Sequence, residues 1–331
     1  MKNIFKNKKI LVTGGTGSFG QEFVKTLCKN FNFKKLAIFS RDELKQFEMS
    51  ERLKDSRLRF LLGDLRDYDR VKFAFNDIDF VIHAAALKQV PKAEYNPSEY
   101  IKTNILGSEN IIKASIETKV SKVLSLSTDK AASPINLYGA TKLVADKLFA
   151  SANNMVGNKN IIFSTVRYGN VLNSRGSVIP FFKEQLLQKK SLPITHNDAT
   201  RFFLSLNDGV NFVIESFKKM KGGEIFIPKI PSFNIRELAD SIAPNSKKKI
   251  VGLRPGEKIH EVLISKDETN VYQYKKFYII APSIVMNKPK NYKSYSGEKG
   301  RLLKTNFEYN SNTNEKFLKK NNLKKFIKKF I

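Results

Sequence analysis

Apolar residues in the first half of the chain fall into short, nearly unbroken runs. Lys9–Thr13, Lys35–Ser40, Leu58–Leu62 and Phe80–His83 are four of them, and Val120–Ser127 and Ile161–Val166 continue the series. Runs of this length, rich in β-branched residues, predict strands. Continuous rather than alternating apolarity, as in KILVT and DFVIHAAA, suits strands buried on both faces. The intervening segments are long enough for helices of three or four turns; the first is expected to run from a Gly-rich turn through about Cys28. Strands alternating with helices mean βαβ units and a parallel sheet. Right-handed crossovers then gather the loops that follow the strands at one edge, where ligands bind.

After Tyr168 the rhythm weakens. Residues 171–200 read as loop with a short helix near Pro180–Gln188, and a helix at about Asp208–Lys218 and a strand at Glu224–Ile227 return to the sheet. Residues 231–331 mix Pro- and Lys-rich loops, and no internal repeat is seen. The fold class is therefore α/β: a Rossmann-type doubly wound parallel sheet from residues 1–170 plus about 205–230. Residues 171–204 and 231–331 form a smaller, discontinuous unit suited to a second ligand. A chain of 331 residues can bury its core without disulfides or metals.

Charge complicates this picture. Fifty-nine Lys and Arg against 31 Asp and Glu give a net charge of +28, which invites a nucleic acid or an anionic membrane surface. Only 12 of these cations are Arg and 47 are Lys. Phosphate and base readers lean on planar Arg forks, so the excess is of the less specific kind, and no nucleic-acid partner is expected. Near the end, Leu323, Phe326, Ile327 and Phe330 fall at helical spacing with Lys on the other face. Such a helix either lies on anionic lipid or docks its apolar face on the body or a neighbouring subunit. Cys28 is the single cysteine, and His83, His196 and His260 lack metal-site spacing, so no metal is expected. No run approaches the ~18 apolar residues of a membrane span, and the N-terminus lacks a signal-peptide core. A cytoplasmic setting is the expectation.

Chemistry concentrates after the strands. Thr13-Gly14-Gly15-Thr16-Gly17-Ser18-Phe19-Gly20 follows the first strand and opens a helix, with Gly14, Gly17 and Gly20 at GxxGxxG spacing. Glycines there let the backbone approach a pyrophosphate, whose charge meets helix N-terminal amides; a plain tight turn is the alternative. After the second strand, Ser40-Arg41-Asp42-Glu43-Leu44-Lys45 offers a hydroxyl, a guanidinium and an ammonium. These suit the 2′-phosphate of NADP better than the bare ribose of NAD; a solvated helix start capped by Asp42 is the alternative. Asp64 and Leu65 follow the third strand, where an acid suits the adenine amino group and Asp67 suits a cap. Ala84, Ala85 and Ala86 follow the fourth, where small side chains leave room for a nicotinamide. Ser127-Thr128-Asp129-Lys130 closes another strand, and Tyr138 and Lys142 come next, one helical turn apart. An ammonium beside a phenol favours phenolate, so Tyr138 can serve as a base; a strand-end cap and a buried Tyr are the structural alternatives.

TGGTGSFG, the HAAA segment and YGATK resemble the extended short-chain dehydrogenase/reductase family. TDKA followed by NLYGATK resembles its nucleotide-sugar 4,6-dehydratases. SRDELKQFEM, HAAALKQVPKAEYNP, STDKAASPINLYGATKL, RYGNV, SRGSVIPFF, GGEIFIPKIPS and RPGEKIHE are similar to the inverting UDP-N-acetylglucosamine 4,6-dehydratases of pseudaminic acid biosynthesis. The likeness runs from about residue 7 to 285. It implies NADP as cofactor, a UDP-sugar substrate, and a homo-oligomer, dimer or hexamer. It also implies roles: Tyr138, helped by Lys142, takes the O4 proton while C4 gives up hydride; neutral Lys130 removes the C5 proton; Asp129 protonates the leaving C6 hydroxyl; hydride returns to C6, and C5 is reprotonated from the opposite face. Thr128 joins this catalytic set. Lys88, Asn104 and Val171 are placed at the cofactor, and Lys88, Thr128, Tyr138, Asn170, Arg201, Arg254 and Glu257 at the UDP-sugar; Tyr168 is placed beside the nicotinamide. Glu in place of Lys130 would resemble the retaining enzymes. Asn173, where the relatives suggest Gly, and His196-Asn197-Asp198, in place of a more Arg-rich stretch, leave the fine sugar choice open. A retaining dehydratase and a UDP-sugar 4-epimerase are the alternatives on this scaffold.

Overall fold

The computed structural model describes residues 4–172, 177–284, 291–295 and 297–327. Six strands appear where the apolar runs predict them: β1 (Lys9–Thr13), β2 (Lys35–Ser40), β3 (Leu58–Leu62), β4 (Phe80–His83), β5 (Lys122–Thr128) and β6 (Ile162–Tyr168). They pair in parallel in the order β3-β2-β1-β4-β5-β6. The order reverses between β1 and β4, and a doubly wound sheet binds its ligands in the crevice at that switch point.

Four further strands extend the sheet beyond β6: β7 (Ile225–Pro228), β8 (Val271–Gln273), β9 (Phe277–Ile280) and β10 (Arg301–Leu302). β7 is parallel to β6, whereas β9, β8 and β10 follow in antiparallel pairings. The Pro- and Lys-rich composition groups residues 271–302 with the smaller unit; in the structure their short strands belong to the large sheet. Turns and edge strands carry too little periodicity to announce such pairing.

Helices cover both faces. Ser18–Asn30 and Leu206–Lys219 pack on one face through Phe23, Val24, Leu27, Val213 and Phe217. Tyr68–Phe75, Gly107–Glu117 and Leu137–Ala152 cover the other through Val71, Phe75, Ile111 and Phe149. Side chains fix several helix starts: Asp42, Asp67, Asn136, Ser205 and Asn234 each accept a first-turn amide. The capping expected of Asp42 and Asp67 is thus present.

A smaller three-stranded sheet joins Asn170–Val171, Thr200–Leu204 and Ser232–Asn234. Its core includes Leu172, Ile179, Phe182, Phe203, Phe233 and Leu238. The helix Lys320–Ile327 docks there: Leu323 and Ile327 are buried, and the Phe326 ring lies 5.2 Å from that of Phe203. Its Lys residues face outward. Of the two readings of this basic helix, docking is the one observed; Phe330 and the terminal Lys pair lie outside the described residues. Among the described residues no helix is long and apolar enough to cross a membrane.

Candidate active site

The ends of β1, β2, β4, β5 and β6 open into one cleft of about 1120 Å³. Gly14, Thr16, Gly17, Ser18, Phe19 and Gly20 line its floor. Gly14 has φ of 65°, and a Cβ there would stand 2.8 Å from the Cα of Ala85. Only glycine lets the first turn pass this close to the loop after β4. Gly17, at the N-cap of the Ser18–Asn30 helix, has no side chain to cap it, and the helix's first turn lines the cleft.

Buried polar groups hold the facing loop. Thr13 Oγ1 lies 2.8 Å from His83 Nδ1 and accepts the Ala85 N–H at 3.2 Å. Asn104 clasps Leu87 from both sides: Oδ1 accepts its N–H and Nδ2 donates to its carbonyl, each at 2.9 Å. Nδ2 also donates to Thr141 Oγ1 on the Leu137–Ala152 helix. Ala84, Ala85, Ala86 and Lys88 therefore line the cleft, but Asn104 does not, and Thr103 lines it instead. Asn104 thus braces this loop, its amide shared between Leu87 and Thr141. His83 was not foreseen in this role; burial, aided by the Lys142 charge, drives its pKa down to about 3, so the ring is neutral.

Ser40, Arg41, Lys45, Asp64 and Leu65 line the far end. The cations are not idle: Lys45 pairs with Asp42, and Arg41 lies 3.3 Å from Asp64. Asp64 is also gripped by Arg66 at 2.7 Å. Burial disfavours its carboxylate, but the two guanidiniums hold its pKa below the usual range. Asp64 thus lines this end of the cleft with both guanidiniums on its carboxylate.

At the end of β5, Thr128 and Lys130 line the cleft, together with Tyr138 and Lys142. The Leu137–Ala152 helix packs so tightly on the Asp129–Ala131 turn that Gly139 has no room for a Cβ against the Lys130 carbonyl. Burial pushes the Tyr138 phenol up to about 12, while the Lys130 charge and a hydrogen bond with Thr128 pull it down. Lys142 is buried; desolvation lowers its pKa and Asp146, one turn further on, opposes this. Asp146 accepts from Ser127 Oγ at 2.8 Å and from buried Arg167 at 3.1 Å. Tyr168 lines the cleft, and burial raises its pKa.

Asp129 is fully buried and does not line the cleft. Its Oδ1 accepts from Thr128 Oγ1 at 2.9 Å and from Lys130 Nζ at 3.0 Å. Lys130 also lies 3.4 Å from Asn170 Oδ1 and 3.4 Å from Glu261 Oε1. Burial alone would lower the Lys130 pKa, but Asp129 and Glu261 outweigh it and raise the value.

The opposite wall carries Asn170, Val171, Arg201, Arg254 and Glu257. Arg201 is buried and its Nη atoms face the protein: Glu257 at 2.6 Å and the Thr200 and Ile259 carbonyls at 2.7 and 2.9 Å. Arg254, mostly exposed, donates to the same Glu257. Both arginines thus meet on Glu257. A smaller chamber of about 200 Å³ adjoins, bounded by Lys88, Lys130, Arg201, Lys258 and Glu261. Sequence reasoning quoted the RPGEKIHE segment but overlooked its final residue, Glu261. Asn173 and the 174–176 part of the SRGSVIPFF segment lie outside the described residues.

Residues 10–282 match a family described as polysaccharide biosynthesis protein. A UDP-N-acetylglucosamine 4,6-dehydratase (inverting) from Campylobacter jejuni subsp. jejuni serotype O:23/36 (strain 81-176) is 54% identical over 315 residues, 94% of each chain. A UDP-glucose 4-epimerase from Rickettsia bellii (strain OSU 85-389) is 45% identical over 272 residues, 80% of each chain. The X-ray structure of Pen from Bacillus thuringiensis superposes with a TM-score of 0.89 at 37% identity, covering 99% of both chains. The chain thus belongs to the polysaccharide biosynthesis family of extended short-chain dehydrogenase/reductases, alongside the inverting UDP-N-acetylglucosamine 4,6-dehydratases.

Proposed function

We propose that the cleft takes NADP at its Gly-rich end and UDP-N-acetylglucosamine against the Arg201–Glu257 wall, and that the chain is an inverting 4,6-dehydratase, a hydro-lyase. Its product would be UDP-2-acetamido-2,6-dideoxy-β-L-arabino-hex-4-ulose, the first step toward pseudaminic acid. The observation that carries this reading is that Tyr138 meets the Asp129–Lys130 pair at one strand end. A 4-epimerase has work for Tyr138 and Lys142 but none for a second acid and base. The 54% identity to the C. jejuni dehydratase supports the same choice over the epimerase at 45%.

The fit to a dinucleotide rests on the Gly14–Ala85 approach, which leaves a backbone-lined groove, and on the Ser18–Asn30 helix start beside it. Ser40, Arg41 and Lys45 would receive the 2′-phosphate, drawing the two cations from Asp64 and Asp42. Residues 1–170 plus about 205–230 would hold the cofactor, and 171–204 with 231–331 the UDP-sugar.

When bound, the nicotinamide accepts hydride from C4 of the sugar and returns it at C6. Tyr138 takes the O4 proton, and the Lys142 and Lys130 charges favour the phenolate. The new C4 ketone acidifies the C5 proton, which Lys130 removes as a neutral amine. Asp129 gives its proton to the leaving C6 hydroxyl. The 3.0 Å contact between Lys130 Nζ and Asp129 Oδ1 arms both groups at once: moving one proton from Nζ to Oδ1 leaves a free amine and a protonated carboxyl. A cytoplasmic homo-oligomer, dimer or hexamer, accompanies this reading and is checked by sizing.

Mass spectrometry after incubation with UDP-N-acetylglucosamine and NADP tests it. A product lighter by one water supports dehydration; a product of unchanged mass means epimerisation and overturns it.

A further inference from the structure

Glu261 has no part in the steps above, yet it is built into the site. Its backbone is clamped by Ser311: the Glu261 N–H donates to Ser311 Oγ at 2.9 Å, and the Ser311 N–H donates to the Glu261 carbonyl at 2.9 Å. The side chain is buried. Oε1 lies 3.4 Å from Lys130 Nζ and 3.8 Å from Arg201 Nε. Oε2 is buried with no hydrogen-bond partner among the described residues. A carboxylate in that state is costly unless a nearby cation compensates it. Arg201 already has its Nη atoms on Glu257 and two carbonyls. Lys258 also feels the Glu261 charge, but Lys130 Nζ stands nearer to it than Arg201 Nε does.

We propose that Glu261 is a positioning residue for the dehydration half of the reaction: anchored in the wall opposite the tyrosine helix, it holds the Lys130 amine beside Asp129 and stabilises the positive charge that Lys130 gains on taking the C5 proton. This rests on the dehydratase reading above. In that step the C5–H bond breaks and its proton forms an N–H bond on Lys130. The released electron pair becomes the C5–C6 π bond as the C6–O bond breaks, and the hydroxyl leaves as water with the Asp129 proton. The negative charge of Glu261 stays put throughout, so it acts on Lys130 and not on the C4 oxidation at Tyr138.

Lys130 is faced by Asp129 from its own turn, Tyr138 from the following helix, Lys88 from the loop after β4, Arg201 from the small sheet, and Lys258 and Glu261 from the segment after Arg254. Two of these are carboxylates. Removing one makes the ammonium easier to deprotonate, while the five other groups remain.

The test is Glu261→Gln, which keeps size and hydrogen-bonding capacity. Lys130 is titrated by ¹³C NMR of ε-labelled lysine, its signal assigned by loss in Lys130→Met. Its midpoint should fall by ~1–3 pH units. In single turnover, dehydration and solvent-deuterium entry at C5 should slow at least ~tenfold, because lost placement of the amine and lost stabilisation of its new charge outweigh its easier deprotonation, while C4 oxidation, read from reduced-nicotinamide absorbance, stays within about twofold. Glu261→Asp keeps the charge and should restore most of the midpoint. An unmoved midpoint, or an equal fall in C4 oxidation and dehydration, overturns the role of Glu261. A wild-type chain that oxidises the sugar but never dehydrates it overturns the dehydratase reading itself.

Discussion

The two walls of the cleft are built by different means. On the Gly-rich wall, side chains hold backbone: Thr13 and His83 brace the loop after β4, and Asn104 clasps Leu87. Of the lining residues at Gly14–Gly20 and Ala84–Ala86, most are glycine or alanine. On the other wall, side chains hold one another. Ion pairs run from Asp129 to Lys130, Glu261, Arg201, Glu257 and Arg254 in one chain. A backbone wall has a fixed shape before any ligand arrives. A wall of linked charges instead sets protonation, and each member depends on its neighbours. Substitutions on the first wall should therefore disturb binding or stability, and on the second, chemistry.

The largest effect is expected from Lys130→Met, which removes the centre of the charged chain. Steady-state turnover should fall ~10²–10⁴-fold, with NADP affinity, followed by fluorescence titration, within about twofold. Tyr138→Phe should fall as far but lose C4 oxidation as well. A Lys130→Met protein with full turnover would break the comparison.

His83 gives the next effect, on stability. Its folded pKa of about 3 lies below its unfolded value. The unfolded chain therefore binds the proton first as pH falls, and stability is lost from about pH 6.5 downward toward 3. Between pH 7 and 5 this group should cost about 2 kcal/mol. Urea unfolding at both pH values checks it, with His83→Gln expected to lack that share of the decline. An identical decline in the variant would mean that His83 is not the buried neutral brace described.

Arg41→Ala should weaken NADP ~tenfold and NAD by no more than about twofold, as competitive binding would read. Equal losses would move Arg41 from phosphate selection to general support of the Asp64–Arg66 cluster. The smallest effect is expected at the terminal helix. Replacing Lys319, Lys320, Lys324 and Lys325 by Gln should leave co-sedimentation with anionic liposomes unchanged, because the apolar face is already docked. A loss of liposome binding would reopen a surface role.

The first wall was legible in the sequence and the second only in part. Strands β1 to β4 fall at their predicted bounds because continuous apolar runs are flanked by polar turns. The Gly14–Gly20 turn and the Tyr138–Lys142 pair are local patterns and needed no tertiary information. The ion-pair chain is not local: Lys130 meets a residue 131 positions away and Arg201 one 56 positions away. Arg201, placed at the UDP-sugar, turns out to be buried and paired with Glu257, and Glu261 went unnoticed because only folding brings it to Lys130. The same holds for β8 to β10, whose short antiparallel pairings give no periodic signal. The +28 charge divides between site and surface: a few cations belong to the site, and most of the surplus Lys is solvated surface.

The central claim is that the Asp129–Lys130 pair adds elimination and inversion to the Tyr138 chemistry. NMR of the product formed from UDP-N-acetylglucosamine and NADP in D₂O tests it most directly. The account predicts a 4-keto-6-deoxy sugar carrying deuterium at C5 with inverted configuration. A C5-retained or unlabelled product, or the C4 epimer, would contradict it.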